Sequence, residues 1–166
     1  SKSRGKNRVS TDEFPSGDYR GRHQQLQLTT VEAIERLCRG EGIRTLAQPI
    51  IALGSGEVVG LEMLSRASRP IEMPTDFFRA AIDQRSLTSV DLNCMRQSAS
   101  LAVSLERDLR YHINVFPATL LATPHDELMA SLRPDGRQKL CVELSQQQMV
   151  GDPATLKESI MRLRRE

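Results

Sequence analysis

The chain has 166 residues, 39% of them apolar and 27% charged, an ordinary composition for one globular domain. It contains no apolar run near the ~18 residues of a membrane-spanning helix, so we expect no membrane segment in this chain. Its three cysteines are widely spaced and form no CxxC pair, which argues against a zinc ribbon or a disulfide scaffold. A complete (β/α)8 barrel needs about 200 residues or more, so the length admits only part of one.

The net charge of +2 is concentrated near the N-terminus, because residues 1–22 carry six basic and three acidic residues. The rest of the chain is near neutral and holds few aromatic residues, with four Phe, two Tyr and no Trp. Proteins that bind polymeric nucleic acid present a basic face with aromatic rings for stacking. The sequence therefore predicts no polymeric nucleic acid partner.

The predicted elements follow a polar N-terminal segment. Residues 1–25 are rich in Ser, Gly, Arg, Asp and Gln, and we predict a linker or a frayed end there. Helical spacing of apolar residues predicts a helix from Thr30 to Gly40. Apolar runs at 45–53 and 58–64 flank a Gly-Ser-Gly turn and predict an antiparallel hairpin.

Helices and strands alternate after the hairpin. Helices are predicted to begin at Pro74, near Thr88, at Pro117 and at Pro153, and strands are predicted at 111–116 and 139–144. The helix that begins at Pro117 is predicted to break near Pro124. This alternation predicts an α/β fold with parallel strand pairing.

Three polar residues interrupt predicted strands: Glu62, Asn114 and Glu143. Polar groups at the carboxyl ends of neighbouring parallel strands form the mouth of a site in this type of fold. Two carboxylates and an amide oxygen are hard ligands, which suit Mg²⁺, Mn²⁺ or Ca²⁺ better than zinc. The alternative is that each glutamate is solvated or paired, for example Glu62 with Arg66. His112 could face either side of its strand, and no histidine has a second one at ligand spacing.

Four motifs, in this order, resemble the EAL domain family. Residues 47–66 resemble the start of the family's domain, in which a Gln-Pro-Ile strand and a Gly turn precede a Glu-Ala-Leu signature. In this chain the signature reads Glu62-Met63-Leu64 and is followed by Arg66. Three later segments of the chain resemble the family's remaining motifs. They are Pro74-Thr-Asp-Phe-Phe78 with Asp91 on the next helix, Ile113-Asn-Val-Phe-Pro117, and Val142-Glu-Leu-Ser-Gln146. Residues 1–8 are similar to the end of a GGDEF domain. The resemblance implies that residues 1–25 are a linker and the end of a GGDEF-like domain, and that residues 26–166 are the N-terminal part of an EAL-like domain.

The resemblance implies a partial (β/α)8 TIM-type barrel with an N-terminal helix, and metal-dependent hydrolysis of cyclic di-GMP to the linear dinucleotide. It implies Mg²⁺ or Mn²⁺ as the cofactor, with Glu62, Asn114 and Glu143 as metal ligands and Glu62 as the catalytic residue. Gln48, Leu64 and Arg66 would contact the dinucleotide. The family's setting implies the bacterial cytoplasm and a GGDEF domain in the parent protein, which could be attached to a membrane through other domains.

The sequence also departs from the family pattern. The Asp-Asp pair and the later Lys are absent from these 166 residues, Met63 replaces the signature Ala, Gln146 replaces a Glu, and Phe116 replaces a Ser. Two functions stay open: part of a working phosphodiesterase, or a degenerate module that binds cyclic di-GMP or a protein partner. We expect no meaningful hydrolysis by this chain alone. Half a barrel would leave a sheet face and edges uncovered, so we also expect a homodimer or partial disorder.

Overall fold

The protein is described by a computed structural model that covers residues 19–105, 108–132, 139–145 and 152–165. Its strands in this part of the chain are β1 (Ile43–Ile51), β2 (Val58–Ala67), β3 (Arg110–Val115) and β4 (Lys139–Leu144). Its helices there are α1 (Tyr19–Cys38), α2 (Pro74–Asp83), α3 (Leu87–Ser104), α4 (Pro117–Ala122), α5 (His125–Leu132) and α6 (Pro153–Leu163). None of these helices is long and apolar enough to cross a membrane.

The four strands form one sheet in the order β1-β2-β3-β4. β1 and β2 are the predicted antiparallel hairpin, whereas β2, β3 and β4 are parallel to one another. Parallel neighbours need a long crossover connection, and here α2 and α3 connect β2 to β3, while α4 and α5 connect β3 to β4. The predicted α/β fold with parallel pairing is therefore confirmed.

One face of the sheet packs against α3 and forms the core. Leu61 and Met63 of β2 and Tyr111 and Ile113 of β3 are buried there, together with Met95 of α3. Successive side chains of a strand point to opposite faces. The residues between these core positions therefore lie on the other face of the sheet.

Helix α1 is fixed to α3 at its C-terminal end. Ile34 and Leu37 are buried in a second cluster that also contains Val90 of α3. Asn93 of α3 donates from its Nδ2 atom to the carbonyl oxygens of Leu37 and Cys38, each at 2.9 Å. The last carbonyls of a helix have no partner inside it, so Asn93 stabilises the end of α1.

The largest differences from the predicted boundaries are at the start of α1 and at the end of β2. Helix α1 begins at Tyr19, so residues 19–25 are helical. The predicted start near Thr30 was wrong because residues 19–29 are mostly polar and lack the apolar spacing from which a helix is read. β2 continues to Ala67, which places Arg66 inside the strand. The GGDEF-like segment at residues 1–8 lies outside the described residues.

Candidate metal centre

All six predicted site residues lie on the face of the sheet opposite the core. They are Gln48, Glu62, Leu64, Arg66, Asn114 and Glu143. Gln48 is directly opposite Glu62 in the hairpin, and Asn114 is the register partner of Glu143. Leu64 and Arg66 follow Glu62 at steps of two, which keeps all three on one face. The alternation of each strand thus brings together residues that are up to 95 positions apart in the sequence.

The three predicted metal ligands come from three neighbouring strands. Asn114 donates from Nδ2 to Oε1 of Glu62 at 3.2 Å. Asn114 and Glu143 lie side by side on β3 and β4, and adjacent strands are about 4.8 Å apart. Glu62 and Glu143 are half-buried, and Asn114 is exposed. The structure therefore places two carboxylates and one amide on three neighbouring strands of the same sheet face.

This set of donors fits a single hard divalent cation. Among the described residues, no hydrogen bond is made to the second oxygen of either glutamate or to Oδ1 of Asn114. No group of three or more His, Cys, Asp or Glu side chains in the same part of the chain could hold a metal ion. Two carboxylates balance one divalent charge, and carboxylate and amide oxygens suit Mg²⁺, Mn²⁺ or Ca²⁺.

His112 is a polar neighbour of this centre to which sequence reasoning gave no role. Its Nδ1 atom lies 2.7 Å from Oε1 of Glu143, and its side chain is 19% exposed. It is the register partner of Glu62 on one side and of Cys141 on the other. His112 precedes Asn114 by two residues on a strand, so the period of two was the signal that could have found it.

Gly60 makes room for the His112 ring. A Cβ atom at Gly60 would lie 3.4 Å from Nε2 of His112 and 2.9 Å from the carbonyl oxygen of Arg110. The second distance is shorter than normal contacts allow. A glycine is therefore required where β2 passes the ring and the backbone of β3.

Asp91 of α3 fixes the backbone directly after β3. Its Oδ2 atom accepts a hydrogen bond from the Phe116 amide at 3.0 Å, and the residue is 1% exposed. Burial raises the pKa of Asp91 to about 6, and the hydrogen bond from Phe116 opposes this rise. Phe116 follows Asn114 by two residues, so Asp91 holds the end of the strand that carries a predicted ligand.

A cavity of about 210 Å³ lies at the carboxyl ends of β2 and β3. Its lining includes Leu64 and Asn114 from the sheet, Asp91 from α3, and Phe78 from α2. The ring of Phe116 closes against Phe78, with ring centroids 4.7 Å apart. Sites for whole small molecules are about 300–1,000 Å³. The cavity is therefore large enough for only part of a dinucleotide.

The structure places Met63, which departs from the family pattern, and tests the alternative pairing of Glu62 with Arg66. Met63 is 2% exposed on the core face, so it packs away from the carboxylate of Glu62 rather than beside it. Arg66 donates from Nη1 to the carbonyl oxygen of Ser65 at 2.8 Å, and the described residues show no ion pair between Arg66 and Glu62. Gln146 lies outside the described residues.

The sequence matches the model of the EAL domain family over residues 31–166. The chain belongs to the EAL domain family, as its motifs predict. A comparison with curated proteins finds no match.

Solved EAL domain structures have the same fold. An EAL domain protein from Listeria monocytogenes superposes with a TM-score of 0.67 at 16% identity, over 83% of this chain and 56% of that chain. Klebsiella pneumoniae BlrP1, in a complex with calcium and cyclic di-GMP, superposes with a TM-score of 0.60 at 21% identity. The match covers 94% of this chain and 44% of that chain. The Xanthomonas citri FimX EAL domain in complex with cyclic di-GMP superposes with a TM-score of 0.65 at 15% identity. The match covers 87% of this chain and 60% of that chain. The predicted partial (β/α)8 barrel is confirmed, and the chain spans about half the length of these structures.

Proposed function

We propose that this chain carries the first part of a cyclic di-GMP site of the EAL type. In this proposal Glu62, Asn114 and Glu143 hold one divalent cation. The observation that carries it is the meeting of these three residues on one sheet face, where the Asn114 amide lies 3.2 Å from Glu62. Two similar structures support the choice of ligand, since BlrP1 forms complexes with calcium or manganese and cyclic di-GMP, and the FimX EAL domain forms a complex with cyclic di-GMP.

The chemistry of the other face residues suits a phosphodiester ligand. Arg66 offers a guanidinium group, which pairs well with phosphate oxygens. Leu64 offers an apolar contact beside the cavity, and Gln48 offers both a donor and an acceptor opposite Glu62. When bound, a divalent cation neutralises phosphate charge and lowers the pKa of a coordinated water.

The same donor set favours binding over cleavage by this chain alone. Two-metal hydrolysis needs ligands for a second cation. The 166 residues contain no Asp-Asp pair, and the described residues contain no group of three or more His, Cys, Asp or Glu side chains that could hold a metal ion. We therefore propose that these residues bind cyclic di-GMP and turn it over at well below ~1 per second. The second candidate is a non-catalytic module that senses cyclic di-GMP or binds a protein, which the single-cation site also favours.

The setting of this function is proposed with it. Mg²⁺ would be the cation in the cell, and the bacterial cytoplasm would be the compartment. A GGDEF domain would be the partner in the parent chain. A second copy of the chain would cover the open edges of the sheet, which are β1 and β4 in the described residues.

The test measures binding and hydrolysis of cyclic di-GMP in the presence of Mn²⁺. Calorimetry gives the affinity, and chromatography detects the linear dinucleotide. We expect the wild type to bind cyclic di-GMP only when Mn²⁺ is present, and Glu62→Ala to lose this binding. The control is Glu57→Ala, which should keep it because the Glu57 side chain is exposed in the hairpin turn. If cyclic di-GMP binds without Mn²⁺ and binds equally well to Glu62→Ala, the result would support the sensing module instead. If the wild type binds no cyclic di-GMP at all, the first proposal and the sensing form of the second are overturned, and only a module that binds a protein is left.

A further inference from the structure

His112 lies between the strands that carry the two carboxylates of the candidate centre. It is the register partner of Glu62 on β2, and its ring reaches Glu143 on β4. The contact joins Nδ1 of His112 to Oε1 of Glu143 at 2.7 Å, with the histidine 19% and the glutamate 40% exposed. This short contact uses one of the two oxygens that Glu143 could offer to a cation.

We propose that His112 is a positioning residue for the metal centre. Its Nδ1–H donates to Oε1 of Glu143, which fixes the carboxylate plane and leaves Oε2 for the cation. This inference rests on the proposed function, because it assigns a role toward the cation that Glu62, Asn114 and Glu143 would share. Carboxylates that bind metal ions are themselves hydrogen-bonded by outer partners, which orient them.

The geometry assigns His112 to the carboxylate and not to the cation. One ring nitrogen, Nδ1, is engaged with Glu143. The other, Nε2, lies over Gly60, where an added Cβ would meet it at 3.4 Å. The described residues also contain no group of three His, Cys, Asp or Glu side chains placed to hold a metal. His112 therefore acts through Glu143.

The consequence for metal binding follows from the freedom of the glutamate. The terminal torsion of a glutamate is broad, so without the histidine the Glu143 carboxylate would sample many orientations. Cation binding would then have to order it. Loss of such an outer partner typically weakens metal binding by about 10–100-fold.

The first measurement is the Mn²⁺ affinity of the whole chain by calorimetry. We expect His112→Phe, which keeps a ring and removes the donor, to weaken Mn²⁺ binding by about 10–100-fold. We expect His112→Asn to bind within about threefold of the wild type, because the amide Nδ2 stands near the position of the imidazole Nδ1 and can donate in its place. His125→Phe, on α5 and away from the sheet, is the matched control and should leave the affinity unchanged.

The second measurement needs no metal. Nitrogen-detected NMR of the metal-free chain should show that the His112 ring holds a proton on Nδ1 in preference to Nε2. Glu143→Ala should remove this preference. This reading stays valid if His112→Phe fails to fold, since it uses the wild-type histidine.

The outcomes separate the two proposals. If the wild type binds no Mn²⁺, the proposed metal centre fails and the role of His112 fails with it. If the wild type binds Mn²⁺ but His112→Phe binds equally well, only the positioning role is overturned. A His112 ring that carries its only proton on Nε2 in the metal-free wild type also overturns it. If His112→Asn is as weak as His112→Phe, a donor at this position does not restore Mn²⁺ binding and the hydrogen-bond role is overturned.

Discussion

Asp91 accepts a hydrogen bond from the Phe116 amide at 3.0 Å, so a carboxylate within α3 fixes the chain two residues after Asn114. The carboxylate is 1% exposed. A buried carboxylate is less stable when ionised. This contact therefore links the position of Asn114, a proposed ligand, to the carboxyl group of Asp91, whose pKa is raised by burial.

The first prediction concerns stability and pH. Burial raises the pKa of Asp91 from 3.8 to about 6 in the folded chain. The folded state therefore holds the proton of Asp91 more tightly than the unfolded state does. The resulting contribution to the free energy of unfolding is fully present at pH values below the unfolded pKa. It is lost as pH rises from about 4 to about 6, which amounts to about 3 kcal/mol. Cys94 beside it stays neutral over this range, because burial raises its pKa to about 12.

Urea denaturation across this pH range checks the prediction with Asp91→Asn as the matched variant. The asparagine keeps an acceptor for the Phe116 amide but has no titration. Its stability should change less with pH than that of the wild type, and the two proteins should differ most above pH ~6. Equal pH dependence in both proteins would show that Asp91 does not carry the effect.

The second prediction concerns Gly60. A Cβ at this position would lie 2.9 Å from the Arg110 carbonyl oxygen and 3.4 Å from the His112 ring. Gly60→Ala should therefore lower the free energy of unfolding by about 1–3 kcal/mol, since the β2–β3 pairing must shift. The control is Gly54→Ala, because nothing lies within 4 Å of its added Cβ. If Gly60→Ala unfolds at the same urea concentration as Gly54→Ala, the close approach of the strands is contradicted.

The third prediction concerns the junction between α1 and α3. Asn93 donates to the Leu37 and Cys38 carbonyls and accepts from Nη1 of Arg96 at 3.1 Å. Asn93→Ala leaves two carbonyls at the end of α1 without this donor. We expect a loss of about 1–3 kcal/mol of stability and faster amide exchange in the last turn of α1. Gln97→Ala, at an exposed position of α3, should change neither.

The contacts around Arg96 give a fourth prediction. Its guanidinium donates to Glu127 at 3.0 Å and to the Ser131 hydroxyl at 3.1 Å, which joins α3 to α5. The ion pair is about half exposed, so Glu127→Gln should change stability by less than about 1 kcal/mol. Its effect should shrink further in high salt. A loss several times larger, unaffected by salt, would show that the pair is more shielded than its exposure indicates.

Much of the fold could be predicted from local patterns. The hairpin was readable because two apolar runs flank a turn whose Gly56 adopts a φ of +73°. Prolines at the first turns of α2, α4 and α6 marked three helix starts. The start of α1 was not readable, since a helix of polar residues has no apolar period.

The site was predictable in part for the same physical reason. Glu62, Asn114 and Glu143 stood out because polar residues inside short apolar strands need an explanation. His112 did not, because its only signal was the step of two that separates it from Asn114, and its contact with Glu143 lies 31 residues away in the sequence. The period of two also places Met63 on the face opposite Glu62, although the sequence motif alone suggests a neighbour of the metal.

Anomalous X-ray scattering from a crystal grown with Mn²⁺ locates the proposed cation directly. We predict one peak on the open face of the sheet, about 2.0–2.6 Å from one oxygen each of Glu62, Asn114 and Glu143. The Nδ1 atom of His112 should stay on the other oxygen of Glu143. A peak elsewhere, or no peak at these three residues in a crystal that takes up Mn²⁺, would contradict the proposed metal centre.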